Sequence, residues 1–115
     1  MNNIADNKDQ TAYLRLMLDA FGKIRLFLGD MSYDNFSVDS KTQSAVIMQL
    51  QVVGELVKKV DENIKEKIAI PWKDMAGLRD MVAHQYFYLD LPSIWTSATV
   101  DIADVEKEIK SYLVL

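Results

Sequence analysis

Cysteine is absent from the 115-residue chain, and proline, glycine and histidine are scarce, with two, four and one residues respectively. Without cysteine there is no disulfide framework and no thiolate zinc site. So few turn-forming residues exclude a many-turned β-sandwich and a disordered tail. No run approaches the ~20 apolar residues that a helix needs to cross a bilayer, and no basic and apolar N-terminal segment suggests export. We therefore expect a soluble, cytoplasmic protein.

The remaining composition is typical of packed helices. Half of the residues are hydrophobic, and six of these are methionine. The length suits one domain, covering residues 1–115, without repeats or linkers. We therefore expect a single all-α domain.

Apolar residues recur at spacings of three and four in two long stretches, as they do on one face of a helix. The first stretch covers residues 9–28 and ends at Gly29 with Asp30. The second extends from about residue 40, after a cap at Asp39 or Ser40, to the low sixties. The repeating positions are Leu14, Met17, Leu18, Phe21, Ile24 and Leu28 in the first helix, and Val46, Leu50, Val53, Val57, Val60 and Ile64 in the second.

Weaker signals mark the connections and the third helix. The polar stretch with Tyr33 and Phe36 is predicted to be a loop, and residues 61–68 a short helical turn that continues or bends from the second helix. Pro71, just ahead of Trp72, predicts the start of the third helix.

The third helix is predicted to extend to about His84, and a fourth to begin after Asp90 with Pro92 in its first turn. The fourth helix then reaches Leu113, with a bend near Asp101. Four helices in this order predict an antiparallel, up-and-down four-helix bundle.

Some apolar residues lie outside the two stripes. Because a chain of this size cannot easily bury all of them, one prediction is a two-fold homodimer through helix faces. The alternative is a wide core face within one chain. These residues are Tyr13, Leu16 and Phe27 in the first helix, and Ile47, Val52 and Leu56 in the second.

Acidic residues outnumber basic ones by 17 to 13, which gives a net charge of −4. Because nucleic-acid backbones are bound by Lys and Arg, this balance disfavours a general nucleic-acid coat. The charge is uneven, however, since residues 58–79 hold six basic and four acidic side chains, and residues 80–115 two basic and six acidic ones. An RNA site is therefore expected to be local, narrow and weak at high salt.

The single histidine, His84, follows an unusual helical pattern. Trp72, Arg79 and Tyr86 recur every seven residues and share one stripe, with Met75 beside them. An arginine on such an apolar face needs an acid or an anion as its partner.

Asp80 lies one turn before His84, where its carboxylate can orient the imidazole. Arg79 and His84 are five residues apart, which is about 140° around a regular helix, so they do not point at one spot. Either the helix loosens near His84, or a partner chain completes the site.

A purely structural interpretation is also open. His84 can cap carbonyls at a helix end, Arg79 can pair with Glu55, and Tyr86 can be a core aromatic residue. One histidine and scattered carboxylates form no recognisable metal site. No phosphate-binding glycine loop and no serine or cysteine nucleophile with a paired base is present, so no cofactor is expected.

The chemistry of RNA cleavage offers a catalytic interpretation of Arg79 and His84. Without a metal ion, cleavage needs a base for the 2′-hydroxyl proton, an acid for the leaving 5′-oxygen and a cation for the charged phosphorane. One histidine fills only one proton role at a time. In a two-fold dimer, two His84 side chains could divide the acid and base roles while two Arg79 side chains bind phosphate.

The same residues carry a resemblance to a known family. The sequence resembles the HEPN superfamily and, within it, the HepT-like toxins encoded beside a minimal nucleotidyltransferase antitoxin of the MntA type. The resemblance spans nearly the whole chain and rests on Phe36, Ala45-Val46, Gly54-Glu55, Ile70-Pro71-Trp72, the Arg-x4-His-x-Tyr motif of Arg79, His84 and Tyr86, Asp90-Leu91 and Trp95.

This resemblance implies a HEPN-type helical bundle that dimerises around the third helix, with Arg79 and His84 of both protomers lining the cleft of a metal-independent ribonuclease. It also implies that a cognate nucleotidyltransferase neutralises the toxin by transferring AMP to Tyr86. A phosphate-bearing adduct beside Arg79 would occupy the place of the RNA phosphate and repel the substrate.

Two positions depart from the family pattern. Asp80 stands where asparagine is frequent; its carboxylate favours the charged form of His84 but adds negative charge near an RNA cleft. Gln85 stands where glycine is frequent, which affects how the chain leaves the helix and where Tyr86 points.

We therefore predict a dimeric ribonuclease toxin in which Arg79, Asp80 and His84 are catalytic and Tyr86 is modified. The alternative is a non-catalytic substrate-binding or adaptor subunit of a minimal nucleotidyltransferase, which fits the acidic balance better. In a third interpretation the chain is a structural helical bundle.

Overall fold

A computed structural model of the protein describes the backbone of residues 3–77 and 90–114, and the side chains of residues 10–77 and 90–114. All regular structure in these ranges is helical, which confirms the all-α prediction. The elements are α1 (Asn3–Leu28), α2 (Tyr33–Ser37), α3 (Ser40–Lys59), α4 (Glu62–Lys65), α5 (residues 72–77), α6 (Leu91–Thr96), a π-helical turn (Ser97–Asp101) and α7 (Ile102–Leu113).

The first helix begins earlier than predicted, at Asn3 rather than near residue 9, and ends where predicted. Gly29 adopts a positive φ of 54°, and its N–H donates to the carbonyl of Arg25 at 2.9 Å. Glycine takes up this left-handed conformation without a steric penalty from a Cβ atom. The helix therefore stops at Leu28.

The prediction of a loop around Tyr33 and Phe36 is wrong, because residues 33–37 form α2. Ser32 caps this helix, since its side-chain oxygen accepts from the N–H of Asn35 at 3.2 Å. Phe36 is completely buried. A five-residue helix with one buried residue is too short to show an apolar repeat, so the pattern failed to reveal it.

Asp39 is the residue that caps α3. Its carboxylate accepts from the Thr42 N–H at 3.0 Å and from the Thr42 hydroxyl at 2.8 Å. These two hydrogen bonds favour the ionised form and lower the pKa of the Asp39 carboxyl below its ordinary value.

The second predicted helix is interrupted rather than continuous to the low sixties. Val60 is extended, with ψ at 133°, so α3 ends at Lys59. Asp61 then caps α4, its carboxylate accepting from the N–H of Ile64 at 3.1 Å. The backbone N–H of Asp61 donates to the side-chain carbonyl of Gln10 at 2.6 Å, which places the chain just after α3 beside the N-terminal half of α1. The two helices are thus antiparallel.

The fourth predicted helix consists of α6, the π-helical turn and α7. The irregular turn ends at Asp101, where the bend is predicted. Two threonine hydroxyls donate back to carbonyls one turn earlier, Thr96 to Pro92 at 3.0 Å and Thr99 to Trp95 at 2.7 Å. Such bonds compete with the helical ladder and commonly bend a helix.

An ion pair joins the last turn of α1 to the first half of α7. The guanidinium of Arg25 donates to the carboxylate of Glu106, whose side chain is only 13% exposed. Lys110 lies 3.8 Å from the other carboxylate oxygen of Glu106. Since Thr11 and Tyr112 also lie around one pocket, α7 is antiparallel to α1 as well.

The apolar residues outside the two predicted stripes are partly buried in the core and partly exposed, so a wide core face explains only some of them. On α3, Ile47 and Leu56 are buried and Val52 is half-buried against the chain's own core, so a wide core face accounts for them. Tyr13 also packs against the core, whereas Leu16 and Phe27 of α1 stay exposed. The homodimer stays a prediction.

Candidate functional site

The four predicted site residues, Arg79, Asp80, His84 and Tyr86, lie outside the described residues, as does the predicted end of the third helix. Their mutual geometry and the alternative pairing of Arg79 with Glu55 therefore stay predictions. The structure describes the chain on both sides of this motif, up to residue 77 and again from residue 90.

Trp72 fixes the chain on the N-terminal side of the motif. Its indole N–H is shared between the carbonyls of Lys65 at 3.1 Å and Ile68 at 3.0 Å. The Lys65 ammonium lies 6.0 Å from the centre of the Trp72 ring, at the outer limit of a cation–π contact. These contacts hold the start of α5 against the end of α4.

The two sides of α5 have different surroundings. Met75 is 6% exposed and Trp72 is half-buried against the core, so the described half of the predicted stripe does face inward. Lys73 is exposed. Apart from its chain neighbours and the backbone of its own helix, no described atom lies within 4 Å of a Cβ atom built on Gly77. One side of α5 thus packs on the bundle, and the side with Lys73 and Gly77 is open as far as the described residues show.

A second tryptophan fixes the chain after the motif. Asp90 caps α6, because its carboxylate accepts from the Ser93 N–H at 3.4 Å and from the Ser93 hydroxyl at 2.7 Å. Trp95 follows on α6 and packs against two rings, with centroid distances of 5.8 Å to Tyr33 and 5.3 Å to Phe36. The helix that follows the motif is therefore held by α2.

Sequence reasoning missed this aromatic cluster. It identified Phe36 and Trp95 as part of the family resemblance, but it placed Tyr33 and Phe36 in a loop. The available signal was Ser32, a strong helix-capping residue one position before Tyr33. The cluster fixes the chain at α6, shortly after the motif segment.

The basic part of the chain leads towards α5. Lys59, Lys67 and Lys73 are exposed, and Lys65 is half-buried beside Trp72.

In residues 10–77 and 90–114, no group of three or more His, Cys, Asp or Glu side chains is arranged to hold a metal ion. None of the helices in the described ranges has the length and apolarity that a membrane span requires.

Comparison with known proteins identifies the family. The family model described as "Ribonuclease HepT-like" matches residues 17–112. "Putative RNase MJ0127" of Methanocaldococcus jannaschii is 41% identical over 108 residues, which are 90% of this chain and 89% of that protein. "Putative RNase MJ0125" of the same organism is 37% identical over 107 residues, 92% of each chain.

A third relative, "Probable ribonuclease HepT" of Thermococcus cleftensis, is 34% identical over 95 residues, 82% of this chain and 86% of that protein. No solved structure matches the chain. The family match covers the helices on both sides of the motif as well as the motif itself. The chain therefore belongs to the HepT-like ribonuclease family.

Proposed function

We propose that this protein is a homodimeric ribonuclease that cleaves RNA at the Arg79–His84 motif without a metal ion. The observation that carries the proposal is the match to the HepT-like ribonuclease model over residues 17–112, a range that contains the whole motif. The three relatives described above are all named as ribonucleases.

The proposed reaction is an attack of the RNA on its own backbone. A base removes the 2′-hydroxyl proton, the 2′-oxygen forms a bond to phosphorus, and the bond from phosphorus to the 5′-oxygen breaks. An acid gives a proton to the departing 5′-oxygen, so that a 2′,3′-cyclic phosphate and a 5′-hydroxyl result. His84 supplies the base or the acid, and Arg79 stabilises the charge on the phosphorane.

The two sides of α5 support a site made from two protomers. A helix that keeps the period of α5 would place Arg79 on the side of Trp72 and Met75, and His84 on the open side of Lys73 and Gly77. Arg79 and His84 of one protomer would then not reach the same phosphate. A two-fold copy facing the first brings a second arginine and a second histidine to the cleft.

Asp80 has a positioning role in this proposal. It precedes His84 by one helical turn, so its carboxylate can accept from one imidazole nitrogen and leave the other towards RNA. The exposed lysines near α5, Lys59, Lys67 and Lys73, offer the nearby positive charge that a phosphate backbone needs.

Cleavage in the presence of excess EDTA tests the proposal. The purified full-length protein is incubated with an end-labelled single-stranded RNA, and the products are analysed for a 2′,3′-cyclic phosphate end. We expect cleavage at the same rate with EDTA and with Mg²⁺. Activity that disappears in EDTA and returns with Mg²⁺ would contradict metal independence. Absence of cleavage across a panel of RNAs, combined with stable binding of the nucleotidyltransferase, would favour the adaptor alternative.

We further propose that Tyr86 is the site at which a cognate nucleotidyltransferase inactivates the protein. The tyrosine oxygen attacks the α-phosphorus of ATP, a bond from tyrosine to AMP forms, and pyrophosphate leaves. The added phosphate would compete with RNA for Arg79. The basis is the position of Tyr86 in the family motif, two residues after His84.

Co-expression with a nucleotidyltransferase encoded beside this chain tests the modification. We expect expression of this protein alone to arrest growth and co-expression to relieve the arrest. The intact mass of the protein should then rise by one or more AMP groups on Tyr86. Tyr86→Phe should prevent both effects, and Tyr88→Phe, which removes a neighbouring tyrosine hydroxyl, should prevent neither. AMP that is still transferred to the Tyr86→Phe protein would show that the acceptor is another residue.

A further inference from the structure

A groove with an apolar floor and an acidic rim lies between the segment before α5 and the last two helical elements. Residues 69–75 form one wall, the π-helical turn and α7 form the other, and the space between them is about 530 Å³. The floor is apolar and includes Met75, Ile102 and Val105, each at most 6% exposed. We call this feature the acidic groove.

The rim of the acidic groove carries unbalanced negative charge. Among the residues that the structure describes, four carboxylates, of Asp74, Asp101, Asp104 and Glu108, line it with one lysine, Lys107. All five side chains are exposed, and none of the four carboxylates forms an ion pair with a described residue. The rim therefore presents charge that the described part of the chain does not neutralise.

We propose that the acidic groove binds a basic amphipathic segment of a protein partner. Its apolar residues would cover Ile70, Pro71 and the floor, and its Lys or Arg side chains would face the rim. Apolar contact supplies the driving force for docking, and the complementary charges select the orientation and the partner. This inference stands independently of RNA cleavage at the Arg79–His84 motif.

The spacing of the rim carboxylates indicates the length and charge pattern of the segment that would bind. Asp101, Asp104 and Glu108 are three and four residues apart and lie on one side of the groove. Seven helical residues span about 10 Å. A helical segment of two to three turns with basic residues three to four positions apart matches this length, so helix-in-groove binding is the expected mode.

The negative charge of the rim disfavours RNA and a second copy of this chain as occupants of the acidic groove. RNA phosphates would be repelled by the carboxylates, because nucleic-acid affinity comes from neutralising phosphate with Lys and Arg. A second copy of this chain, docked by two-fold symmetry through the same groove, would place one acidic rim against another. A basic protein segment is the occupant that the charges favour.

A designed peptide provides the probe for this proposal. It is a fluorescein-labelled helix of about four turns with Leu on one face and Lys along both edges, compared with a peptide in which Glu replaces each Lys. Binding to the full-length protein is measured by fluorescence anisotropy. We expect the Lys peptide to bind and the Glu peptide not to bind.

Two triple variants separate the groove from the general acidity of the protein. Asp101→Asn/Asp104→Asn/Glu108→Gln should weaken binding of the Lys peptide about tenfold. Asp30→Asn/Asp34→Asn/Glu66→Gln removes the same charge elsewhere and should change the affinity less than about twofold. Equal weakening in both triple variants would overturn the proposal, because it would indicate only non-specific attraction.

Two further measurements test the location. Ala69→Arg places a large cationic side chain on the wall of the groove and should abolish peptide binding. In ¹H–¹⁵N spectra of the full-length protein, the peptide should shift resonances of residues 69–75 and 97–108. Shifts centred on another face, or binding of a short RNA that the Asp101, Asp104 and Glu108 triple variant loses, would overturn the assignment.

Discussion

His84→Ala is expected to lower the rate of RNA cleavage by about 10²- to 10⁴-fold, the usual contribution of a general acid or base. The loss should appear in kcat, because His84 acts on protons that move during the reaction. Arg79→Ala should cost about 10²- to 10³-fold, since it removes charge stabilisation of the phosphorane. Arg79→Lys keeps the charge but loses the two-pronged contact, so it should restore only part of the rate.

Several controls keep this result interpretable. Gln85→Ala changes the residue next to His84 without removing a proposed catalytic group, and it should retain most of the activity. The variants should match the unaltered protein in far-ultraviolet circular dichroism and in thermal midpoint. Undiminished cleavage by folded His84→Ala and Arg79→Ala proteins would contradict the catalytic assignment of both residues.

Sequence periodicity captured the long helices because each buries a continuous stripe. The positions predicted to be internal in the first helix include Leu14, Met17, Phe21 and Ile24, which are completely buried. Helix boundaries were predicted from single residues with a defined backbone role, such as Gly29 after α1 and Asp39 or Ser40 before α3, of which Asp39 is the cap. These features depend on local chemistry, which the sequence displays directly.

Periodicity did not reveal the break at Val60. Val57, Val60 and Ile64 keep the apolar spacing, and all three are buried as predicted. They nevertheless belong to α3, an extended residue and α4. A repeating pattern reports which residues face the core, and the cap at Asp61 determines where the new helix starts.

The motif was recognisable from residue types, whereas its support was not. Arg79 and His84 stand out because one is a cation on an apolar stripe and the other is the single histidine. The two tryptophans that hold the neighbouring chain act through backbone carbonyls and through rings distant in sequence. The ring contacts of Trp95 depend on how α2 and α6 come together, and no local spacing encodes them, whereas the carbonyls that Trp72 contacts lie only four and seven residues before it.

Phe36 offers a test of that distant support. Phe36→Ala should lower the free energy of unfolding by about 3–5 kcal/mol, the usual cost of removing a buried phenylalanine side chain. The ring is completely buried and packs against Trp95, so the substitution leaves a cavity between α2 and α6. Urea unfolding followed by circular dichroism gives the value.

A neighbouring residue supplies the matched control for Phe36. Val38 is 83% exposed, so Val38→Ala should change the free energy of unfolding by less than about 0.5 kcal/mol. A cost below about 1 kcal/mol for Phe36→Ala would show that α2 does not hold α6.

If α2 does hold α6, the cavity left by Phe36→Ala loosens the helix that begins immediately after the motif segment, at Asp90 and Leu91. Folded Phe36→Ala protein should then cleave RNA more slowly than folded Val38→Ala protein, because the residues of the motif lose one of their two fixed ends.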